Sequence, residues 1–199
     1  LAAILDRHPD VLLFEDDHSG PVGGAPLHTL AHRRRRRWAV ARSVSKSLGP
    51  DHRLAFLAGD ATTVARVEGR QHVGCGWVSH VLQQLVAALL RDGRTEQRLA
   101  DATRTYALRR EAMIEALARH GVAARGRSGM NVWVPVPEEQ ALVAGLASAG
   151  WAVRAGERYR LRTPPGIRIT TAGLRPEDAR RVAAELARLL GASAMTRTA

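Results

Sequence analysis

Residues 11–15, Val-Leu-Leu-Phe-Glu, form a continuous apolar run that ends on a carboxylate, and Asp16, Asp17 and His18 follow at once. A strand that is apolar at consecutive positions is buried on both faces, as in a parallel sheet covered by helices. Polar groups just beyond its C-terminal end fall where open α/β sheets bind their ligands. This segment therefore predicts an α/β layer with a site at the carboxyl edge of the sheet. Residues 19–26 are rich in Gly and Pro and read as loop. Further strands are expected at 38–42 and 53–58, the latter closed by Gly59. Between them lies a polar turn holding Ser43, Ser45, Lys46, Ser47 and Gly49-Pro50.

The middle of the chain reads as helical, at 61–72, 78–90 and 95–120. In the last, Leu99, Ala102, Tyr106, Met113 and Leu117 recur at helical spacing, and Gly121 ends it. The remainder has a different texture. Short strands are expected at 122–125, 131–135, 152–155, 159–162 and 167–171, with helices at 138–149 and 176–190. The second of these helices has Pro176 in its first turn, Glu177 and Asp178 at its positive end, and Gly191 past its last turn. Strands with helices packed on one face make a small α+β domain. The expected organisation is an α/β part at 1–93, a long linking helix at 94–120, the small domain at 121–191 and a tail at 192–199.

With 199 residues the chain is long enough to bury a substantial core. No apolar run approaches the roughly 20 residues of a membrane helix, so no membrane partner is expected. No N-terminal stretch has the pattern of a signal peptide. The one cysteine, Cys75, excludes a disulfide framework and fits a reducing, cytoplasmic compartment. The chain opens on Leu1 rather than Met, inside a helix that leads to a strand, and a fragment lacking its N-terminal part is expected. The net charge of +11 raises a nucleic-acid partner. Yet the arginines are spread along the whole chain, and the one dense run, residues 33–37, is expected to be a solvated loop.

Of the 30 basic residues only Lys46 is a lysine. Arginine cannot deprotonate and attack a carbonyl carbon; lysine can, once its pKa is lowered. Ser43 and Ser45 place two hydroxyls beside it, and Arg53 lies seven residues on. Two hydroxyls, a guanidinium and turn amides suit a phosphate, so the set fits a phosphorylated aldehyde. The Glu15–Asp16–Asp17–His18 run could ligate Mg²⁺ or Mn²⁺, could be plain loop entry, or could supply an aspartate to a protonated pyridine nitrogen. Further metal ligands are not found elsewhere, and no metal is expected. His28 and His32 have the i, i+4 spacing of zinc ligands but no supporting Glu or Cys, and read as a surface turn. Arg168 stands in the middle of the apolar stretch Gly-Ile-Arg-Ile-Thr. A buried arginine needs an anion, either an internal carboxylate or that of a ligand held by the guanidinium fork.

A strand ending in Glu-Asp-Asp, then Ser-x-Ser-Lys, then Arg seven further, then Ile-Arg-Ile-Thr resembles the fold type I pyridoxal-phosphate aminotransferases. More narrowly, WAVARSVSKSLGPDHRLAFLAGD and WVSHVLQQLV resemble the aminotransferase-like domain of MocR-type transcriptional regulators of the GntR superfamily, especially the vitamin-B6-responsive, PtsJ-like members. The resemblance spans residues 1–191. It implies an α/β fold: the C-terminal half of the large, mostly parallel-sheet domain of a fold type I enzyme, followed by the small C-terminal α+β domain, in a homodimer.

The resemblance also implies roles. Lys46 would form a Schiff base with pyridoxal 5'-phosphate. Asp16 would pair with the pyridine nitrogen, with Asp17 as the alternative. Ser43, Ser45 and Arg53 would bind the cofactor phosphate, and His18 would face the ring oxygen. Arg168 would bind the carboxylate of an amino-acid-like ligand or B6 vitamer. Such domains commonly carry tyrosine at the position of His18; imidazole titrates near neutral pH, which favours binding over turnover. An active aminotransferase acting on an amino acid and a 2-keto acid is the alternative. DNA would be bound only through a winged-helix domain that these residues do not contain.

Overall fold

The computed structural model describes residues 1–32 and 34–196. The chain forms two compact units, Leu1–Asp101 and Ala102–Ala199, and the division falls inside one long helix.

The first unit holds a short helix α1 (Ala2–Asp6) and the strands β1 (Leu13–Asp17), β2 (Trp38–Ser43) and β3 (Ala55–Gly59), followed by helices α2 (Ala61–Val73) and α3 (His80–Arg91). The strand order is β1-β2-β3, with β1 and β2 parallel and β2 and β3 antiparallel. Leu13 pairs with Trp38 and Asp17 with Arg42, so β1 starts two residues later than its apolar run and carries both aspartates inside the ladder. Contrary to the expectation of a strand covered on both faces, no β1 residue is fully buried, and Phe14 is half exposed. A small core of Val44, Leu54 and Val86, flanked by Leu48 and Val78, sits under the turn after β2.

Asp60 caps α2 and ties it to the sheet. Its carboxylate accepts from Thr63 N at 3.0 Å, Thr63 Oγ1 at 2.6 Å and Trp38 N at 2.9 Å. These bonds, the Thr63 hydroxyl foremost, hold its pKa down at about 2. The arginine run is not a uniformly solvated loop. Arg35 is buried, and its guanidinium donates to the carbonyls of Leu5, His8 and Val11, the last at 2.9 Å. It thereby satisfies acceptors on the approach to β1 that have no ladder partner. Arg33, part of the same run, lies outside the described residues.

Helix α4 (Gly93–Ala118) carries the chain into the second unit. There β4 (Asn131–Pro135), α5 (Glu139–Ser148), β5 (Arg154–Ala155), β6 (Gly166–Thr170) and α6 (Pro176–Thr196) follow. The sheet order is β4-β6-β5, antiparallel throughout. Val132, Val134, Ile167 and Ile169 point to one face and pack with Met113, Leu117, Leu142, Leu146, Val182 and Leu186 in a single core. Gly121, at φ 70°, terminates α4, and Val122 N donates back to Leu117 O at 3.0 Å.

Three expected strands shrink or vanish. Residues 122–125 contribute only an isolated bridge, Arg125 to Trp133. Residues 152–155 keep two strand residues. Residues 159–162 turn, because Tyr159 N and Arg160 N both fold back on Gly156 O. Helix α6 runs through Gly191 to Thr196 rather than ending in a tail; a helical glycine costs only about 1 kcal/mol. The last part of the expected tail, residues 197–199, lies outside the described residues. Among the described residues no helix is long and apolar enough to cross a membrane.

Candidate functional site

Strand alternation sorts the acidic run at the end of β1. Asp16 pairs with Ala41, and Ala41 with Leu57; Ser43 pairs with Ala55. Asp16, Ala41, Ser43 and Ala55 therefore share one face of the sheet. Glu15 and Asp17 occupy the other. There Glu15 accepts from Thr29 Oγ1 at 2.7 Å and Leu30 N at 2.6 Å. Partial burial pushes the Glu15 carboxyl up, but these hydrogen bonds outweigh it and its pKa falls. Asp17 accepts from Gly20 N at 2.8 Å and lies 3.6 Å from Arg42 Nε. The run is thus split between two faces, and among the described residues no group of three potential metal ligands converges.

An open cavity of about 390 Å³ lies on the Asp16 face, lined by Asp16, His18, Ala41, Ser43, Ser45, Lys46, Arg53 and Ala55. The six residues expected around the cofactor therefore meet in one place. Local folding explains how. Val44 is buried in the small core and donates its N–H to Leu54 O at 3.2 Å, while Leu48 N closes the turn onto Val44 O at 2.8 Å. With Val44 pinned inward, Ser43, Ser45 and Lys46 are left on the cavity side. The two serines engage each other, Oγ to Oγ, at 3.0 Å, and Ser45 N donates to Ser43 Oγ at 3.2 Å. Arg53 reaches the same cavity from a left-handed backbone, φ 45°; among the described residues no other non-glycine has positive φ. Such a conformation costs about 1–2 kcal/mol in an L-residue, and strain of this kind collects at functional sites.

The donor set suits a phosphorylated aldehyde. Two hydroxyls and the Arg53 guanidinium, which has no carboxylate partner among the described residues, face an anion. Lys46 offers an amine in the same cavity, and Asp16 supplies one carboxylate. The small side chains of Ala41 and Ala55 leave the sheet face open for a flat ring; their place in the wall shows only once β2 and β3 are in register.

Arg168 belongs to the second unit. It is half-buried and has no acidic partner among the described residues. Its guanidinium carbon lies 4.3 Å from the centre of the Tyr159 ring, and its Nε is buried without a hydrogen bond. The internal salt bridge left open by the sequence is thus not made. The sequence does not single out Tyr159, whose surroundings read as a strand rather than a turn. His28 and His32 lie in an irregular segment away from any helix, and Cys75 is exposed in a turn.

Residues 1–186 match the family described as aminotransferase class I and II. The vitamin B6 salvage pathway transcriptional repressor PtsJ of Salmonella typhimurium is 38% identical over 188 residues, which cover 94% of this chain and 44% of that protein. The chain thus spans less than half the length of this curated relative. Among solved structures, LysN, an α-aminoadipate aminotransferase from Thermus thermophilus complexed with N-(5'-phosphopyridoxyl)-L-leucine, superposes with a TM-score of 0.83 at 21% identity. The match covers 96% of this chain and 52% of that one. A multiple substrate aminotransferase from Thermococcus profundus gives a TM-score of 0.84 at 20% identity, covering 98% of this chain and 51% of that one. At such identities the structural likeness establishes the fold, that of the fold type I aminotransferases.

Proposed function

Because the chain belongs to the aminotransferase class I and II family, we propose that it is the C-terminal part of a pyridoxal-phosphate-binding, aminotransferase-like domain of a MocR-type transcriptional regulator. It senses an amino-acid-like ligand or B6 vitamer. The observation that carries this reading is the cavity in which Asp16, His18, Ser43, Ser45, Lys46 and Arg53 meet. The regulatory half of the reading rests on the likeness to a B6 salvage repressor.

When bound, pyridoxal phosphate supplies an aldehyde conjugated to an electron-withdrawing ring. Lys46 presents the amine that holds it covalently. Ser43, Ser45 and Arg53 bind its phosphate through two hydroxyls and a guanidinium. Asp16 keeps a proton on the ring nitrogen by pairing with it. His18 donates from its imidazole toward the ring oxygen. Arg168, free of any internal acid, takes the ligand's carboxylate. DNA is bound elsewhere in the longer protein, and the active form is a homodimer in the cytoplasm.

The test uses the full-length protein that contains this chain. Reconstitution with pyridoxal phosphate produces a visible absorbance band, and borohydride reduction followed by peptide mapping places the label on Lys46. A label confined to other peptides overturns the reading. The same unpaired Arg168 favours a second reading, an aminotransferase acting on an amino acid and a 2-keto acid. Steady transamination by the reconstituted protein would support it.

A further inference from the structure

Across the outer face of the second unit's sheet runs a row of residues in direct register. Arg154 on β5 pairs with Arg168 on β6, Arg168 pairs with Trp133 on β4, and Trp133 pairs with Arg125 through an isolated bridge. The bridge is closed by two backbone bonds of 2.7 and 2.8 Å. The inward-facing neighbours Val132, Val134, Ile167 and Ile169 fill the core, so all four members of the row lie on the opposite face. None of the three arginines has a carboxylate partner among the described residues. Like charges directly opposite in a sheet destabilise it, so three cations in one row need an anion from outside the unit.

The indole of Trp133 lies over Gly166 and Gly156. A Cβ on Gly166 would fall 2.5 Å from the ring, and one on Gly156 would also collide with it. Beside the indole opens a cavity of about 400 Å³, lined by Arg125, Trp133, Tyr159, Arg160 and Thr163 among others. Tyr159 is the shared wall: one ring lines the cavity and stacks on the Arg168 guanidinium at 4.3 Å. Arg160 is held by its Nε on Glu139 Oε1 at 2.8 Å, a contact that does not use its two terminal nitrogens. Arg125 lies two strand spacings from Arg168, roughly 10 Å.

We propose that this cavity is a second anion subsite, so that the ligand held by Arg168 carries two anionic groups: one carboxylate at Arg168, and a distal carboxylate or phosphate ester between Arg125 and Arg160. The proposal rests on the reading of Arg168 as a carboxylate binder and narrows the ligand to a dianionic amino acid. The aromatic walls exclude water from one side of the distal group and strengthen its pairing with the guanidinium groups.

The experiment is calorimetric titration of the full-length, cofactor-loaded protein with L-glutamate, O-phospho-L-serine and the uncharged-tail analogue L-norvaline. Glutamate or phosphoserine binding at least tenfold tighter than norvaline is the expected result, and the tighter of the two identifies the distal group. Arg125→Gln removes most of that preference and leaves norvaline binding unchanged. Arg168→Gln weakens all three ligands. Equal affinity for the three, a preference that survives Arg125→Gln, or no binding of any of them overturns the proposal. Failure of the cofactor itself to load is a separate result, seen first in the absorbance, and it overturns the underlying functional reading as well.

Discussion

Asp16 Oδ1 lies 3.1 Å from His18 Nδ1, two residues along the same side of the chain, at the lip of the cavity that holds Lys46. The contact keeps Asp16 on the cavity side, while Asp17 is turned to the opposite face and engaged by Gly20 N and Arg42. The two adjacent aspartates are therefore not interchangeable. Asp16→Ala is expected to weaken cofactor binding on the order of 10- to 100-fold, from the ~1.5–3 kcal/mol of a hydrogen bond to a charged group. Asp17→Ala leaves affinity within a few-fold. Fluorescence titration of the full-length variants with pyridoxal phosphate measures both. The reverse order of effects would assign the ring nitrogen to Asp17.

Arg53 combines a strained backbone with a place in the cavity wall. Glycine adopts φ 45° without the Cβ clash that penalises other residues. Arg53→Gly should therefore be more stable than Arg53→Ala, by about 1 kcal/mol in urea unfolding. Both should lose cofactor affinity to a similar extent, because both lack the guanidinium. Equal stabilities would show that the left-handed turn is not held in solution.

The split of the acidic run was legible in the sequence only in part. An apolar run closing on carboxylates announces a sheet edge with a site, and period-two alternation divides the acids once a register exists. The register itself is set by Leu13 meeting Trp38, far along the chain, which no local pattern encodes. Lys46, Ser43, Ser45 and Arg53 stood out because their chemistry is distinctive and their spacing short. Arg35 did not, because its burial depends on carbonyls contributed by Leu5, His8 and Val11 far upstream. The arginine row of the second sheet was hidden for the same reason. Its members come from separate segments, one of them a single bridging residue at Arg125.

Asp60 titrates in a way that links α2 and β2 to acid stability. Its folded pKa of about 2 lies below the ordinary value of 3.8. A carboxylate depressed on folding contributes stability that is fully present above its unfolded pKa and is lost as pH falls through the folded one. Asp60→Asn retains side-chain acceptor capacity for the cap but cannot ionise. The native protein should therefore exceed this variant in Tm at pH 6, with the gap closing between about pH 4 and pH 2. A gap independent of pH over that window would mean that the cap geometry, not the charge, carries the effect.

Glu139 is the buried acid of the second unit. Burial pushes its carboxyl up, but bonds from Gly166 N at 2.9 Å, Arg160 Nε at 2.8 Å and Glu157 N at 2.7 Å outweigh this and lower its pKa. It thus pins the start of α5 to β6 and to the turn before Tyr159. Glu139→Ala strands three donors and should destabilise the second unit on the order of 3 kcal/mol. The sign of the shift puts its contribution above the ordinary carboxylate pKa of 4.5, lost as pH falls through the lower folded value. Chemical denaturation at neutral pH and again below the ordinary carboxylate range checks both parts.

The first unit presents apolar surface that its own residues leave uncovered. Val11, Leu12, Phe14 and Phe56 are each about half exposed, between 47% and 53%. Strand β1 pairs with β2 along one edge only, so its other edge offers free backbone donors and acceptors. An uncovered strand edge beside apolar side chains templates association. The 199 residues expressed alone should therefore self-associate and bind pyridoxal phosphate far more weakly than the full-length protein. The second unit, with its own closed core, should keep its structure in that setting. Hydrogen exchange separates the two halves. Protection is expected at Val132, Val134, Ile167 and Ile169, with fast exchange across β1. Strong protection at residues 13–17 together with micromolar cofactor binding would mean that the three-stranded sheet of the first unit is self-sufficient.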